Sequence, residues 1–154
     1  MAVKEHQLSN GMKVLLLERN DAPSISGGWV ARVGSVDERP GITGMAHLFE
    51  HMMFKGTKKY PGGIFSQTIA KLGGKENAFT SKDYTAYYQT LPSQYLEHAL
   101  KFESDRMNNL ADDNILDIHA SYSPSIDKSA LHNGSNVLGL FQAIFLFACR
   151  RCIC

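Results

Sequence analysis

A chain of 154 residues is long enough to bury a hydrophobic core and short enough to form one domain. Its 16 lysines and arginines balance 15 aspartates and glutamates, and no basic run is interleaved with aromatic residues, so we expect no nucleic-acid partner. All three cysteines fall within the last six residues, which excludes a disulfide framework in the rest of the chain.

Taken in chain order, the hydrophobic pattern predicts three strands, two helices, two more strands and a long helix. Asn10-Gly11 is a two-residue hairpin signal between the first two strands, Gly73-Gly74 ends the second helix, and Pro92-Ser93 begins the third. This order predicts an α+β fold in which helices pack on one largely antiparallel sheet. The predicted strands are 3–8, 13–18, 25–33, 75–81 and 84–91, and the predicted helices are 44–54, 64–72 and 92–109.

The first predicted helix contains His47-Leu48-Phe49-Glu50-His51. Positions i and i+4 share a helix face, so both imidazoles can point at one metal ion. Glu50 lies three residues after His47, beside that face, where its carboxylate can reach a water at the metal without being a ligand. The order H-x-x-E-H is the inverse of H-E-x-x-H and is typical of a zinc hydrolase helix. The alternative is a surface helix that carries two histidines by chance.

The flanks of this segment also favour a helix. Thr43 is the predicted N-cap, and Gly56 is the predicted stop. The other side chains of the helix are mostly apolar, which predicts that the helix is largely buried. Burying His47, Glu50 and His51 with it would cost free energy unless these polar side chains find partners. A metal removes that cost, because it takes the imidazole lone pairs and supplies a water for the carboxylate.

Several stretches carry a wider pattern. They read, in order, LSNGMKV from Leu8, GITGMAHLFEHMMFKGT from Gly41, LGG from Leu72, NAFTS from Asn77, DYTAYY from Asp83 and ESDRM from Glu103. Linked in this way, they resemble the pitrilysin/insulinase family of zinc peptidases, a group that includes the mitochondrial processing peptidases. The resemblance covers about residues 3–110.

The resemblance implies the first half of a pitrilysin- or processing-peptidase-like domain, and the activity of a zinc metalloendopeptidase. It implies Zn²⁺ as the cofactor, with His47 and His51 as metal ligands and Glu50 as the catalytic base. Asn77-Ala78-Phe79 resembles the edge strand on which the family docks a peptide or unfolded polypeptide substrate. The alternative for these three residues is an ordinary sheet strand.

The resemblance stops near Leu110. Family members usually supply a third zinc ligand, a glutamate, roughly 70–80 residues after the H-x-x-E-H. No glutamate follows Glu103 here, and Asp127 is the nearest acid by spacing although its surroundings do not match. We therefore divide the chain into a partial peptidase-like N-terminal domain at 1–110 and a divergent tail at 111–154, which a frameshift, a gene-model error or a truncation would explain.

Three functions remain open at this point. The chain is a zinc endopeptidase fragment, weakly active or inactive because the third ligand is missing; or a non-catalytic peptidase-like module that binds peptides or a partner subunit; or a truncated product with no function of its own. The family enzymes are built from homologous domains that close around the substrate. A homologous half-domain or a second copy of this chain is therefore an expected partner.

The remaining features suggest little chemistry. The chain begins without an apolar signal core, which predicts a cytoplasmic protein, or a periplasmic one if a leader is missing. An apolar run at 137–148 is too short to span a bilayer, and we expect it to pack or aggregate. Glu76 is interpreted as a solvated charge, and Arg106 as a member of a structural charge cluster with Glu103 and Asp105.

Overall fold

The computed structural model describes residues 2–19, 22–41, 43–110 and 144–149. Each of the eight predicted helices and strands is present, with its ends within a few residues of the prediction. The long third helix is preceded by a short 3₁₀ turn at Ser93–Tyr95. In chain order the elements are β1 Val3–Gln7, β2 Lys13–Glu18, β3 Ser24–Ala31, α1 Met45–Met52, α2 Ile64–Lys71, β4 Lys75–Thr80, β5 Thr85–Pro92, α3 Leu96–Asn108 and β6 Ile144–Cys149.

These strands form a six-stranded sheet in the order β1-β2-β6-β3-β5-β4. Four of the neighbouring pairs are antiparallel, and only β2 and β6 run parallel. The predicted α+β class with a largely antiparallel sheet is confirmed. None of the helices within the described ranges is long and apolar enough to cross a membrane.

Strand β6 corrects the sequence analysis, which assigned no strand to the apolar run at 137–148. It lies between β2 and β3 and joins the N-terminal hairpin to the other three strands. The run has no alternation of apolar and polar residues and no hairpin partner close in sequence, which are the two signals by which a strand is recognised. A central strand whose partners lie more than 100 residues away in sequence gives neither signal.

The helices pack on one face of the sheet and enclose the core. One cluster joins Ile25 and Leu91 of the sheet to Ile69 of α2 and to Ala99 and Phe102 of α3. A second cluster lies closer to α1, where the rings of Trp29 and Tyr87 stack with centroids 4.4 Å apart. Burying a large apolar side chain contributes about 1.5–3 kcal/mol, so these clusters fix the helices, and with them α1, on the sheet.

A buried ion pair connects α3 to this core. The Glu103 carboxylate accepts hydrogen bonds from the Arg106 guanidinium, from Trp29 Nε1 at 2.6 Å and from Gln89 Nε2 at 2.9 Å. Glu103 and Arg106 are only 3% and 5% exposed. The guanidinium carbon also lies 4.9 Å from the centre of the Tyr87 ring, within the range of a cation–π contact. The Glu103–Arg106 part of the predicted charge cluster is therefore present in the core, whereas Asp105 accepts a hydrogen bond of 2.5 Å from Thr57 Oγ1 instead.

Candidate metal and peptide site

The N-cap residue of helix α1 is Gly44, which has a φ of 91°. Its N-terminal cap is supplied by Glu38, whose carboxylate accepts hydrogen bonds of 2.8 Å from the N–H groups of both Gly44 and Ala46. The prediction of Thr43 as N-cap is wrong, because the left-handed turn places the start of the helix one residue later. A carboxylate from outside the helix satisfies the free N–H groups and opposes the positive end of the helix dipole.

The two histidines of α1 lie side by side, as their spacing predicts. His47 Nε2 and His51 Nε2 are 3.1 Å apart, and both side chains are exposed. Two nitrogens that bind one tetrahedral zinc ion, at about 2.0–2.1 Å each, stand about 3.3 Å from one another. The observed separation therefore fits two adjacent ligand positions of a zinc ion without rearrangement of the helix.

Glu50 has a different environment from the histidines beside it. Its side chain is only 8% exposed, and its Oε2 accepts a hydrogen bond of 2.5 Å from Thr80 Oγ1 at the end of β4. Within the described part of the chain, Oε1 has no hydrogen-bond partner. Burial raises the pKa of the nearby Tyr87 phenol well above its ordinary value, so Tyr87 stays neutral beside the carboxylate.

A third metal ligand is not found in the described ranges, where no group of three or more histidine, cysteine, aspartate or glutamate side chains is arranged to hold an ion. Asp127, the candidate from sequence spacing, lies outside those ranges, so its role stays a prediction. The described residues thus provide two adjacent imidazoles that could hold a metal ion, and one buried carboxylate beside them.

The predicted docking strand is at the free edge of the sheet. Among the described strands, β4 is last in the order of the sheet and pairs only with β5. The Ser81 N–H donates to Tyr84 O across the hairpin, and N–H groups alternate in direction along a strand, so the Ala78 N–H points away from β5. There it donates to Asn77 Oδ1 at 2.9 Å. The Ala78 N–H therefore becomes available to a peptide at this edge once the Asn77 side chain moves aside.

Side chains of β4 alternate between the two faces of the sheet. Phe79 is 43% exposed and contacts the rings of Tyr84 and Tyr88, with centroids 5.6 and 6.3 Å away. Ala78 points to the opposite face and packs against the cluster around Trp29. The three predicted substrate residues thus lie together at an accessible edge, next to the strand end that contacts Glu50.

Glu76 does not match its interpretation as a solvated charge. It shares the helix-facing side of β4 with Ala78 and Thr80, and it is half-buried there. Burial raises the pKa of its carboxyl, although a hydrogen bond from Ser66 and the charge of Arg106 act in the opposite direction. Its Oε2 has no partner among the described residues. Nothing in the sequence indicates this burial, because a single charged residue in a short strand is compatible with either face of the sheet.

The fold is that of solved bacterial proteases. This chain superposes on a protease from Helicobacter pylori with a TM-score of 0.80 at 22% identity, over 97% of this chain and 47% of that one. Pitrilysin superposes with a TM-score of 0.77 at 19% identity, over 99% of this chain and 21% of that one. These likenesses define the class as the N-terminal part of a pitrilysin-like protease fold.

Sequence comparison gives the family. The model of the family described as Insulinase (Peptidase family M16) matches residues 13–115, and the chain belongs to that family. Human insulin-degrading enzyme is 41% identical over 95 residues, which are 61% of this chain and 9% of the enzyme. A protein of Bacillus subtilis named as a zinc protease is 35% identical over 104 residues, which are 67% of this chain and 25% of that one.

A further relative is the mitochondrial-processing peptidase subunit beta of Dictyostelium discoideum, 39% identical over 103 residues, or 66% of this chain and 22% of the subunit. The chain thus spans about a tenth to a quarter of the length of these relatives.

Proposed function

We propose that this chain carries the zinc-binding part of a metalloendopeptidase active site. The observation that carries the proposal is the geometry on α1: His47 Nε2 and His51 Nε2 stand 3.1 Å apart, at the spacing of two zinc ligands, beside the buried carboxylate of Glu50. Relatives from several bacteria are named as zinc proteases, which supports zinc rather than another metal.

The residues of the site have separate roles in this proposal. His47 and His51 would hold the ion through Nε2. Zinc, when bound, polarises a water and stabilises the negative charge that develops on a peptide carbonyl. Glu50, which is held in place by Thr80 and is not a ligand, takes the proton of the attacking water and returns it to the leaving amine.

The substrate in this proposal is a peptide or an unfolded polypeptide in extended conformation. It would add to the free edge of β4 by main-chain hydrogen bonds, one of them from the Ala78 N–H after displacement of Asn77 Oδ1. The exposed ring of Phe79 offers one apolar contact for a substrate side chain. A peptide bound in this way would lie beside the end of β4, where the Thr80 hydroxyl contacts Glu50.

A second candidate is a non-catalytic module that binds peptides or a partner subunit. It is favoured by the finding that no group of three or more candidate metal ligands occurs among the described residues, whereas catalytic zinc has three protein ligands. The same β4 edge would serve it. A homologous half-domain or a second copy of the chain is the partner we propose in either case.

Zinc content tests the first candidate. Elemental analysis of the purified chain is expected to find about one zinc per molecule, and to find none after His47→Ala or His51→Ala, because one remaining imidazole is too weak a site. The matched control is His98→Ala, which removes an exposed histidine of α3 and should leave the zinc in place. A wild-type chain that binds no zinc, or histidine variants that keep it, would refute the assignment.

Glu50→Gln separates the base from the ligands. The amide keeps the size of the side chain and can still accept the hydrogen bond from Thr80, but it cannot take a proton. Zinc content should therefore stay at the wild-type value in this variant. Loss of zinc from Glu50→Gln together with its retention in His51→Ala would mean that the roles are assigned to the wrong residues.

A further inference from the structure

The contact between Thr80 and Glu50 joins two elements that are 30 residues apart in sequence. We propose that Thr80 is a positioning residue: its hydroxyl holds Oε2 of Glu50, so that the second oxygen, Oε1, faces the water. Thr80 has this role only if Glu50 is the base proposed above. A general base must lie within hydrogen-bond reach of the proton it removes, and a free glutamate side chain has three torsions that would carry it out of that range.

A second threonine lies beside the Thr80 hydroxyl across the hairpin. Thr85 is opposite Thr80 in the register of β4 and β5, and it is only 4% exposed. Thr85 Oγ1 donates to the Val33 carbonyl at 2.9 Å and lies 3.4 Å from Thr80 Oγ1. Each hydroxyl has a single proton. Because the Thr85 proton goes to the Val33 carbonyl and the Thr80 proton to Glu50, no hydrogen bond joins the two threonines, and the Thr80 hydroxyl donates to the carboxylate alone.

One loop aligns the helix with the hairpin. Glu38 caps α1, and three residues before it in the same loop the Ser35 N–H donates to Ser81 O at 3.2 Å, while the Val36 N–H donates to Lys82 O at 3.0 Å. A side chain at Gly34 would place its Cβ 2.1 Å from the Lys82 carbonyl oxygen, so the close approach of loop and hairpin depends on glycine there. Segment 34–38 therefore holds the start of α1 and the end of β4 at one fixed separation.

The alternative is that Thr80 only satisfies a buried carboxylate. A buried acceptor left without a donor costs about 1–3 kcal/mol, so the bond has a structural value in any case. What distinguishes a positioning role is the order of the Glu50 side chain itself. If Thr80 holds the carboxylate, its removal should release the Glu50 torsions while the backbone, the histidine pair and the zinc content stay as they are.

Nuclear magnetic resonance on the isotope-labelled chain tests this directly. In the wild type, with and without zinc, the side-chain couplings of Glu50 should correspond to one rotamer, and the Thr80 hydroxyl proton should exchange slowly and lie close to Glu50. Thr80→Val, nearly equal in volume, is expected to lose the single-rotamer couplings of Glu50, and Thr80→Ser to restore them. Thr90→Val is the matched control, because Thr90 is an exposed strand threonine whose hydroxyl meets Ser26 on the other side of the sheet.

Two results would overturn the proposal: single-rotamer couplings of Glu50 that persist in Thr80→Val, or a wild-type Thr80 hydroxyl that exchanges freely with water. The second measurement needs no variant, so it decides the question even if Thr80→Val fails to fold. Zinc content is measured separately. A chain that binds no zinc refutes the proposed function, whereas an unrestrained Glu50 in a zinc-binding chain refutes only the role of Thr80.

Discussion

The 154-residue chain by itself should cleave a quenched fluorescent peptide at least about a hundredfold more slowly than the same residues 1–110 followed by a family-like continuation with its glutamate and second half. Two effects combine. Within the described ranges the metal would have two protein ligands, so its water is poorly aimed, and a misplacement of about 1 Å is enough for a hundredfold loss. A peptide at the edge of β4 would also be held from one side only, so it would gain no ordering contacts from a second half.

Glu50→Gln in the extended protein is the control for this prediction. If the restored activity comes from the proposed site, the substitution should abolish it and leave zinc content unchanged, and a chelator should do the same by removing the metal. Rapid, chelator-sensitive cleavage by the isolated 154-residue chain, abolished by Glu50→Gln, would show that two ligands and one half-domain are sufficient. That outcome would also remove the case for the non-catalytic alternative.

The side-by-side arrangement of the two histidines was predictable because its geometry is local. The spacing of His47, Glu50 and His51 along one helix fixes their relative directions, and no knowledge of the rest of the fold is needed. The structure shows the expected separation of the two imidazoles. The eight elements that the hydrophobic pattern identified were predictable for a similar reason, since each has its own periodicity and its own turn residues.

Contacts between distant parts of the chain were not predictable in this way. Thr80 reaches Glu50 from another element, and Glu38 caps α1 from a loop, so neither has a spacing that signals its partner. Strand β6 has neighbours that are remote in sequence, and nothing near it marks the pairing. Glu76 was misassigned because the alternation of a strand shows which residues share its face, but not which face of the sheet the helices cover.

The largest expected effect on stability is at Glu103. Glu103→Gln keeps the volume but only one acceptor oxygen, so it loses the hydrogen bond from either Trp29 or Gln89, which donate to different oxygens of the carboxylate. It also leaves the Arg106 charge buried without its counter-charge. Breaking a buried ion pair in this way costs about 3–5 kcal/mol. The free energy of unfolding of a domain is about 5–15 kcal/mol, so the loss should be plain in urea denaturation followed by the fluorescence of Trp29, the single tryptophan.

Two controls distinguish an uncompensated charge from a general weakening of α3. Glu97→Gln is the same substitution on the same helix, but Glu97 pairs with Lys101 in solvent, where an ion pair contributes little, so the urea midpoint should hardly move. Removing both charges, with Glu103→Gln and Arg106→Met together, should cost less than Glu103→Gln alone, because no buried charge is then left unpaired. Arg106→Met is also measured alone. If the stability loss of the double variant equals the sum of the losses of the two single variants, Glu103 and Arg106 act independently, and the ion pair does not hold α3 to the sheet.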